Sequence, residues 1–504
     1  MVMFHGASPR SLINPAASQF APTGKFGRLF PTLPAFLPPV ESLVALGTAM
    51  TEQPAGPGPA PHPSDAADPG NNPDIPAGYT YLGQFIDHDI TLDTTSLQEA
   101  QVDPQAIHNF RTPVLELDSV YGLGPAVQPY LFERPAAGKD FEKFLIGKTK
   151  VGGGDPAILP KMRDLPRTPG NNFAVIGDPR NDENLIIQQL HLTIMKLHNR
   201  VVDGLTAGTI PRISPFSRSN FDEARDIVRW HYQWIVLHDF LPRIADPEIV
   251  EDVLLNGRTV YQFGDDPFIP VEFSAAAYRL GHSMVREVYD YNRVFSVPPQ
   301  GGLPSGTLRL MFFFTGASGD GSNVPTPSDW IIDWKRFFVV DGSAPNLSRR
   351  IDPQIATSLG NLPGVPPPSS LAVRNLLRGR ELGLPSGQAV ARALGIPELT
   401  PAEIASGPDG AAAKGLKFDE ETPLWYYLLK EAAVKAEGKH MGPLGSRLLA
   451  EVFIGLLEGD DGSFLIRQPM WQPFLPSSSA GEFTMADLVK FVGELTPDDG
   501  PAVP

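Results

Sequence analysis

The residues best suited to chemistry lie in one short run, residues 79–92, YTYLGQFIDHDITL. It sets an amide and three consecutive ionisable groups, Gln84 and then Asp87, His88 and Asp89, among apolar neighbours. At helical spacing Gln84, Asp87 and His88 stand at i, i+3 and i+4 and share one face, while Phe85 and Ile86 turn elsewhere and anchor the helix. Burying two acids and an imidazole is costly unless each meets a partner or a metal. Something is expected to sit on this face, and His88 suits proton transfer near neutral pH.

Four other segments carry polar residues that need a reason. GDPRNDE (177–183) places Arg180, Asp182 and Glu183 in a proline turn at a helix start, where acids suit the helix dipole. Gly281-His282 follows three alanines, Ala275 to Ala277, small residues that leave room beside a histidine for something flat. Asn375 lies in a helical run, VRNLLRGREL, and Thr112, Val114, Glu116 and Asp118 alternate along one loop. Singly, these have ordinary readings as a cap, a surface ion pair, a packed histidine, an exposed asparagine and a polar turn. A metal-dependent hydrolase built on Asp87-His88-Asp89 and His238-Asp239 would use the acids but give Gln84, Arg180 and His282 no role. His238 is expected to be structural. His191 and His198 are expected to pack or face solvent, and His5, His62 and His108 fall in loops.

The elements that must position these groups read as helices. The helix of residues 79–92 starts at Pro76 and Gly78 and ends near Ile90 and Thr91. A long amphipathic helix follows GDPRNDEN, with Leu185, Ile186, Leu190, Ile194, Leu197 and Val201 at three- and four-residue steps. Further helices are expected at 222–239, at 275–289 through YRLGHSMVREV, from 370, and in the last third, where Trp425, Tyr426 and Tyr427 read as core. A hairpin is expected over 144–151. With neither βαβ alternation nor a strand series, the chain is expected to be mainly α with little β. It divides into an arm and Pro/Gly-rich loop (1–78), one large helical domain (79–495) and a tail (496–504).

Composition sets outer limits. The 504 residues include 48 Gly and 54 Pro, about a fifth of the chain, which implies helices joined by long irregular segments. The net charge of -16 argues against nucleic acid or an anionic membrane surface as partner. The absence of cysteine removes disulfides, zinc–thiolate sites, iron–sulfur clusters and a thiolate haem ligand. No run approaches the length of a membrane span, and the N-terminal residues lack a signal-peptide pattern. The expectation is a soluble protein, cytoplasmic or exported by a non-classical route.

Taken together and in this order, GQFIDHD, LDSVYG, GDPRNDEN, LHNRVVD, HDFLPRI, YRLGH and LWYYLLKEA resemble the animal-type haem peroxidases of the peroxidase–cyclooxygenase superfamily, and its bacterial members above all. The resemblance runs from about Phe26 to Val492 and implies a helical haem-peroxidase domain. It implies haem b, with His88 as distal base, Gln84 as distal amide, Arg180 as distal cation, His282 as proximal iron ligand and Asn375 as that ligand's partner. It also implies a structural Ca²⁺ held by Asp89, Thr112, the Val114 carbonyl, Glu116 and Asp118, with Asp87 and Glu183 at positions that form haem esters in mammalian members. Asn184 stands where one branch carries a sulfonium-forming methionine. The implied reaction is two-electron reduction of hydrogen peroxide through a ferryl intermediate, with oxidation of a small donor such as halide, thiocyanate or a phenol, and a role in oxidative stress. Fatty-acid oxygenases of the superfamily carry a radical-forming tyrosine three residues before the proximal histidine; here that residue is Arg279, and Tyr278 precedes it.

Overall fold

The computed structural model describes residues 26–53, 62–92, 111–214, 219–264, 266–296, 306–316, 325–362, 365 and 367–503. His5, His108 and much of the arm expected over 1–78 lie outside them. Among the described residues, ten helices have eight residues or more. They are α1 (Val40–Ala49), α2 (Gly78–Ile90), α3 (Leu185–Ala207), α4 (Asn220–Ile235), α5 (Pro247–Asn256), α6 (Leu371–Glu381), α7 (Gly387–Leu394), α8 (Leu424–Lys435), α9 (Pro443–Glu458) and α10 (Met485–Val492). Among the described residues, six short strands form three separate pairs. β1 (Phe26–Gly27) runs parallel to β3 (Ile269–Pro270), while β2 (Asn71–Pro76) and β6 (Leu347–Arg349), and β4 (Val288–Tyr289) and β5 (Gly306–Thr307), are antiparallel. The domain is mainly helical.

The helix that carries His88 is fixed at both ends. The Gly78 N–H donates to the Phe337 carbonyl at 2.9 Å, and a Cβ at position 78 would lie 2.4 Å from that same oxygen. Only glycine lets α2 begin there. At the other end Thr91 turns to extended backbone. Phe85 and Ile86 are fully buried; each such side chain stabilises by about 1.5–3 kcal/mol, enough to hold a helix whose other face is polar. α3 packs against α2 and α4, and its start is capped by the Asn184 side chain, which accepts from the Ile187 N–H at 3.1 Å. α4 is prolonged by a π-turn, Val236–Phe240, and a last turn, Leu241–Ile244. α8 buries Trp425, Tyr426 and Tyr427.

Two expected elements are replaced. Residues 275–289 form only a short 3₁₀ turn, Ala277–His282, and then leave helical geometry. Ser283 Oγ bonds back to the Leu280 carbonyl, and the Arg286 N–H donates to the Tyr289 hydroxyl instead of to a carbonyl one turn earlier. The hairpin expected over 144–151 is absent. Phe144, Gly147 and Lys150 instead make single bridges to three distant residues, Phe132, Asp164 and Pro327.

Candidate functional site

α2 and the Ala277–His282 turn face a common cavity of about 320 Å³. α2 contributes Thr80, Gln84, Asp87 and His88; the turn contributes Tyr278, Arg279 and His282; Glu183 and Asn184 enter from the start of α3. Leu308, Met311, Phe312, Leu359, Leu362 and Leu371 supply an apolar wall. Such a lining suits a largely apolar ligand held by a few placed polar groups.

His88 is buried, and its Nδ1–H donates to Asn181 Oδ1 at 2.8 Å. The other ring nitrogen, Nε2, is therefore the unprotonated one. Burial, joined by the nearby Arg180 guanidinium, pushes the imidazole pKa down to about 4, so it is neutral at pH 7 and able to accept a proton. Gln84 is pinned between two residues at the start of α3: its Nε2 donates to Glu183 Oε2 at 2.9 Å, and its Oε1 accepts from Asn184 Nδ2 at 3.1 Å. Burial raises the Glu183 pKa against the opposing pull of Arg180 and Gln84.

Arg180 is not a cavity-wall residue. Its Nη2 donates to the carbonyls of His88 at 3.0 Å and Thr91 at 2.6 Å, while Nε and Nη2 grip the buried Asp178 carboxylate. The pull is understandable, because the last carbonyls of α2 have no helical partner and a buried carboxylate needs a cation. Burial alone would raise the Asp178 pKa, but hydrogen bonds and charge from Arg180 and Arg111 hold it below the ordinary carboxylate range.

His282 is half-buried and lines the cavity, with burial and then Arg279 pushing its pKa down to about 3. Its Nδ1 lies 2.7 Å from the Asn375 side-chain amide, which α6 presents after a Ser370 cap.

The acids of the calcium expectation come near one another behind α2. Asp89, fully buried, accepts from the Leu117 N–H at 3.1 Å and from Ser119 Oγ at 3.4 Å. Burial, then the charges of Asp118 and Glu116, push its pKa well up. Asp118 Oδ2 lies 3.5 Å from Arg111 Nη1, while its Oδ1 is buried with no hydrogen-bond partner among the described residues. The Val114 N–H turns back to the Thr112 carbonyl at 2.9 Å. Among the described residues, no three histidine or acid side chains converge tightly enough to hold a metal by themselves. His238 does not join this group: it is exposed and stacks on Trp234 at 4.0 Å. Asp239 is taken up by the Tyr79 hydroxyl and Arg243.

Five participants escaped the sequence reading. Thr80, one turn before Gln84 on the same face, lines the cavity with a buried hydroxyl that has no partner among the described residues; its spacing could have revealed it. Arg279 appeared only as a missing tyrosine, yet it puts a guanidinium on the cavity wall. Asn181 and His191 form the chain behind His88, and His191, expected to pack or face solvent, is buried and also hydrogen-bonded to Asn181. Arg111, directly before the Thr112–Asp118 loop, pairs with Asp118 and with the distant Asp178, a link that no local pattern signals.

Comparison with known proteins follows the same outline. A family model described as animal haem peroxidase matches residues 95–460; α2 lies just before that span. A peroxidase-like protein of Margaritifera margaritifera is 30% identical over 310 residues, 58% of this chain and 36% of the relative. Thyroid peroxidase of Canis lupus familiaris is 27% identical over 380 residues, 72% of this chain and 38% of the relative. The chain thus spans little more than a third of these relatives. In structure, it resembles peroxidase A of Dictyostelium discoideum, with TM-score 0.57, 19% identity and coverage of 93% and 92% of the two chains. The fatty acid alpha-dioxygenase of Oryza sativa has TM-score 0.54 and 12% identity over 92% and 80%. These two likenesses are of fold.

Proposed function

The chain belongs to the animal haem peroxidase family, and from that premise we propose that the cavity is the haem site of an enzyme that reduces hydrogen peroxide and oxidises a small donor of the halide, thiocyanate or phenol type. One observation carries the reading: His88 and His282 line the same cavity, and each has its Nδ1 occupied by an asparagine.

The residues present fit haem. The apolar wall suits a porphyrin face, and Arg279 suits the porphyrin's carboxylates. His282 would hold the iron, since its Nδ1 is engaged and Nε2 is the remaining donor. With the Asn375 amide turned so that Oδ1 accepts from Nδ1–H, Nε2 carries the lone pair a metal requires. Haem, when bound, supplies the redox chemistry of peroxide cleavage. His88 Nε2 takes the proton of the incoming peroxide and returns it to the departing oxygen. Gln84, held at both ends of its amide, orients the peroxide. Arg180 contributes charge from behind the helix end, adding to the burial that keeps His88 neutral and favouring negative charge in the cavity.

Asp87 and Glu183 both line the cavity, which supports ester bonds from their carboxyls to the haem edge. Haem fully extractable by acid solvent would contradict that linkage. The partnerless Asp118 oxygen beside Asp89 supports a Ca²⁺ completed by Thr112, Glu116 and the Val114 carbonyl, oxygen donors suited to a hard cation. Fatty-acid oxygenation is less well supported, because Arg279 takes the place of the radical tyrosine and the Tyr278 hydroxyl is tied to the Gly83 carbonyl at 3.0 Å. Placement in the bacterial branch and a protective role under oxidative stress are proposed from the sequence resemblance alone; the relatives matched above are animal and Dictyostelium proteins. Two variants test the reading. His282→Ala is expected to lose the native Soret spectrum, and His88→Ala to keep it while losing about 10²–10⁴-fold of peroxide reactivity. Full activity in His88→Ala would remove the proposed base.

A further inference from the structure

The Asn181 side chain touches two imidazoles. Its Oδ1 lies 2.8 Å from His88 Nδ1, and its Nδ2 lies 2.9 Å from His191 Nδ1. Asn181 is fully buried and His191 is 1% exposed, so neither has water in reach to substitute for these bonds. An amide is a donor at one end and an acceptor at the other. The two histidines must therefore take opposite roles: one Nδ1 carries a proton and the other does not. His191 Nε2 is buried with no hydrogen-bond partner among the described residues.

We infer that Asn181 is a positioning residue that couples the tautomer of His88 to that of His191 through its shared amide. With Nδ2 donating to His191, Oδ1 can only accept, and His88 is held as Nδ1–H with Nε2 free toward the cavity. With the amide reversed, His88 Nδ1 would have to accept, its proton would move to Nε2, and the cavity would face a donor instead of a base. His191 Nδ1 would then carry the proton. The amide orientation and the two tautomers thus form one two-state unit. Both rings are buried and share one amide, so a change at one ring is matched by an exchange of tautomer at the other. Position 181 follows Arg180 directly in the Pro179–Asp182 turn, so one turn clamps the end of α2 and aims its histidine.

The role in peroxide cleavage rests on the proposed function, but the tautomer does not. Side-chain ¹⁵N spectra of histidine-labelled full-length protein, with and without haem (as the ferrous carbonyl form when loaded), read the His88 tautomer directly. The native chain is expected to show Nδ1–H, and Asn181→Leu a mixture. Haem-loaded Asn181→Leu should keep its Soret band and lose about 10- to 100-fold of its rate with hydrogen peroxide. Asn181→Asp should restore both tautomer and rate, since a carboxylate accepts from both rings once His191 switches to Nδ1–H. His191→Phe should loosen the amide and mix the His88 tautomers. An Nε2–H tautomer in the native chain, or an unchanged tautomer in Asn181→Leu, would overturn the inference. Failure to bind haem would overturn the proposed function and leave the tautomer result standing.

Discussion

At the scale of residues, one side chain after another is held by its second contact. Gln84 has both ends of its amide occupied, His88 and His282 each have Nδ1 engaged, and Arg180 is shared between a carboxylate and two carbonyls. Arg180→Gln should therefore destabilise before it affects chemistry. It leaves buried Asp178 with one cation, Arg111, and frees two carbonyls at the end of α2, a loss of about 1–3 kcal/mol. Thermal unfolding would check it; an unchanged Tm would mean the clamp adds nothing. The sequence shows Gln84, Asp87 and His88 on one face, because helical spacing alone places them. It does not show where the Arg180 guanidinium turns or that Asn181 bridges two rings, because those depend on partners from separate elements.

At the scale of elements, α2 works as a rigid mount. Its start depends on a close approach that leaves no room for a Cβ at position 78. Gly78→Ala should cost about 1–3 kcal/mol and weaken haem retention, because every cavity-facing residue of α2 would shift with the helix. The boundaries of α2 were legible from Pro76, Gly78 and Thr91. The helix expected over 275–289 was not, because buried Arg286 and the Tyr289 hydroxyl draw the backbone out of helical bonding.

A second joint between elements predicts pH dependence. Glu431 on α8, 2% exposed, accepts from the Leu444 and Gly445 N–H groups at the start of α9, yet burial pushes its pKa up to about 7. A carboxyl raised above its unfolded value binds its proton more tightly in the folded chain. Its contribution is thus greatest at low pH, falls as pH rises from about 4.5 to 7 and is then level. Glu431→Gln, which keeps an acceptor without ionising, should flatten that part of the stability profile by on the order of 3 kcal/mol. Parallel native and variant profiles would contradict it.

At the scale of the whole molecule, the body is bound together by contacts between segments distant in sequence. The Phe26–Gly27 strand lies beside Ile269–Pro270, Glu272 accepts from the Leu29 and Phe30 N–H groups, and the Val503 N–H reaches the Pro160 carbonyl at 2.8 Å. Among the described residues, no helix is long and apolar enough to cross a membrane. Calcium should act at this scale. Chelation should lower Tm, and added Ca²⁺ should restore it in the native chain but not in Asp118→Asn. Indifference to chelator and calcium alike would remove the ion from the account.

The central claim is that this cavity binds haem through His282. Titrating the purified chain with haemin, followed by the pyridine haemochrome spectrum, tests it most directly. One haem b per chain is expected, saturating with a Soret band that His282→Ala alters. A chain that stays colourless, or one whose bound haem gives the same spectrum in His282→Ala, would contradict it.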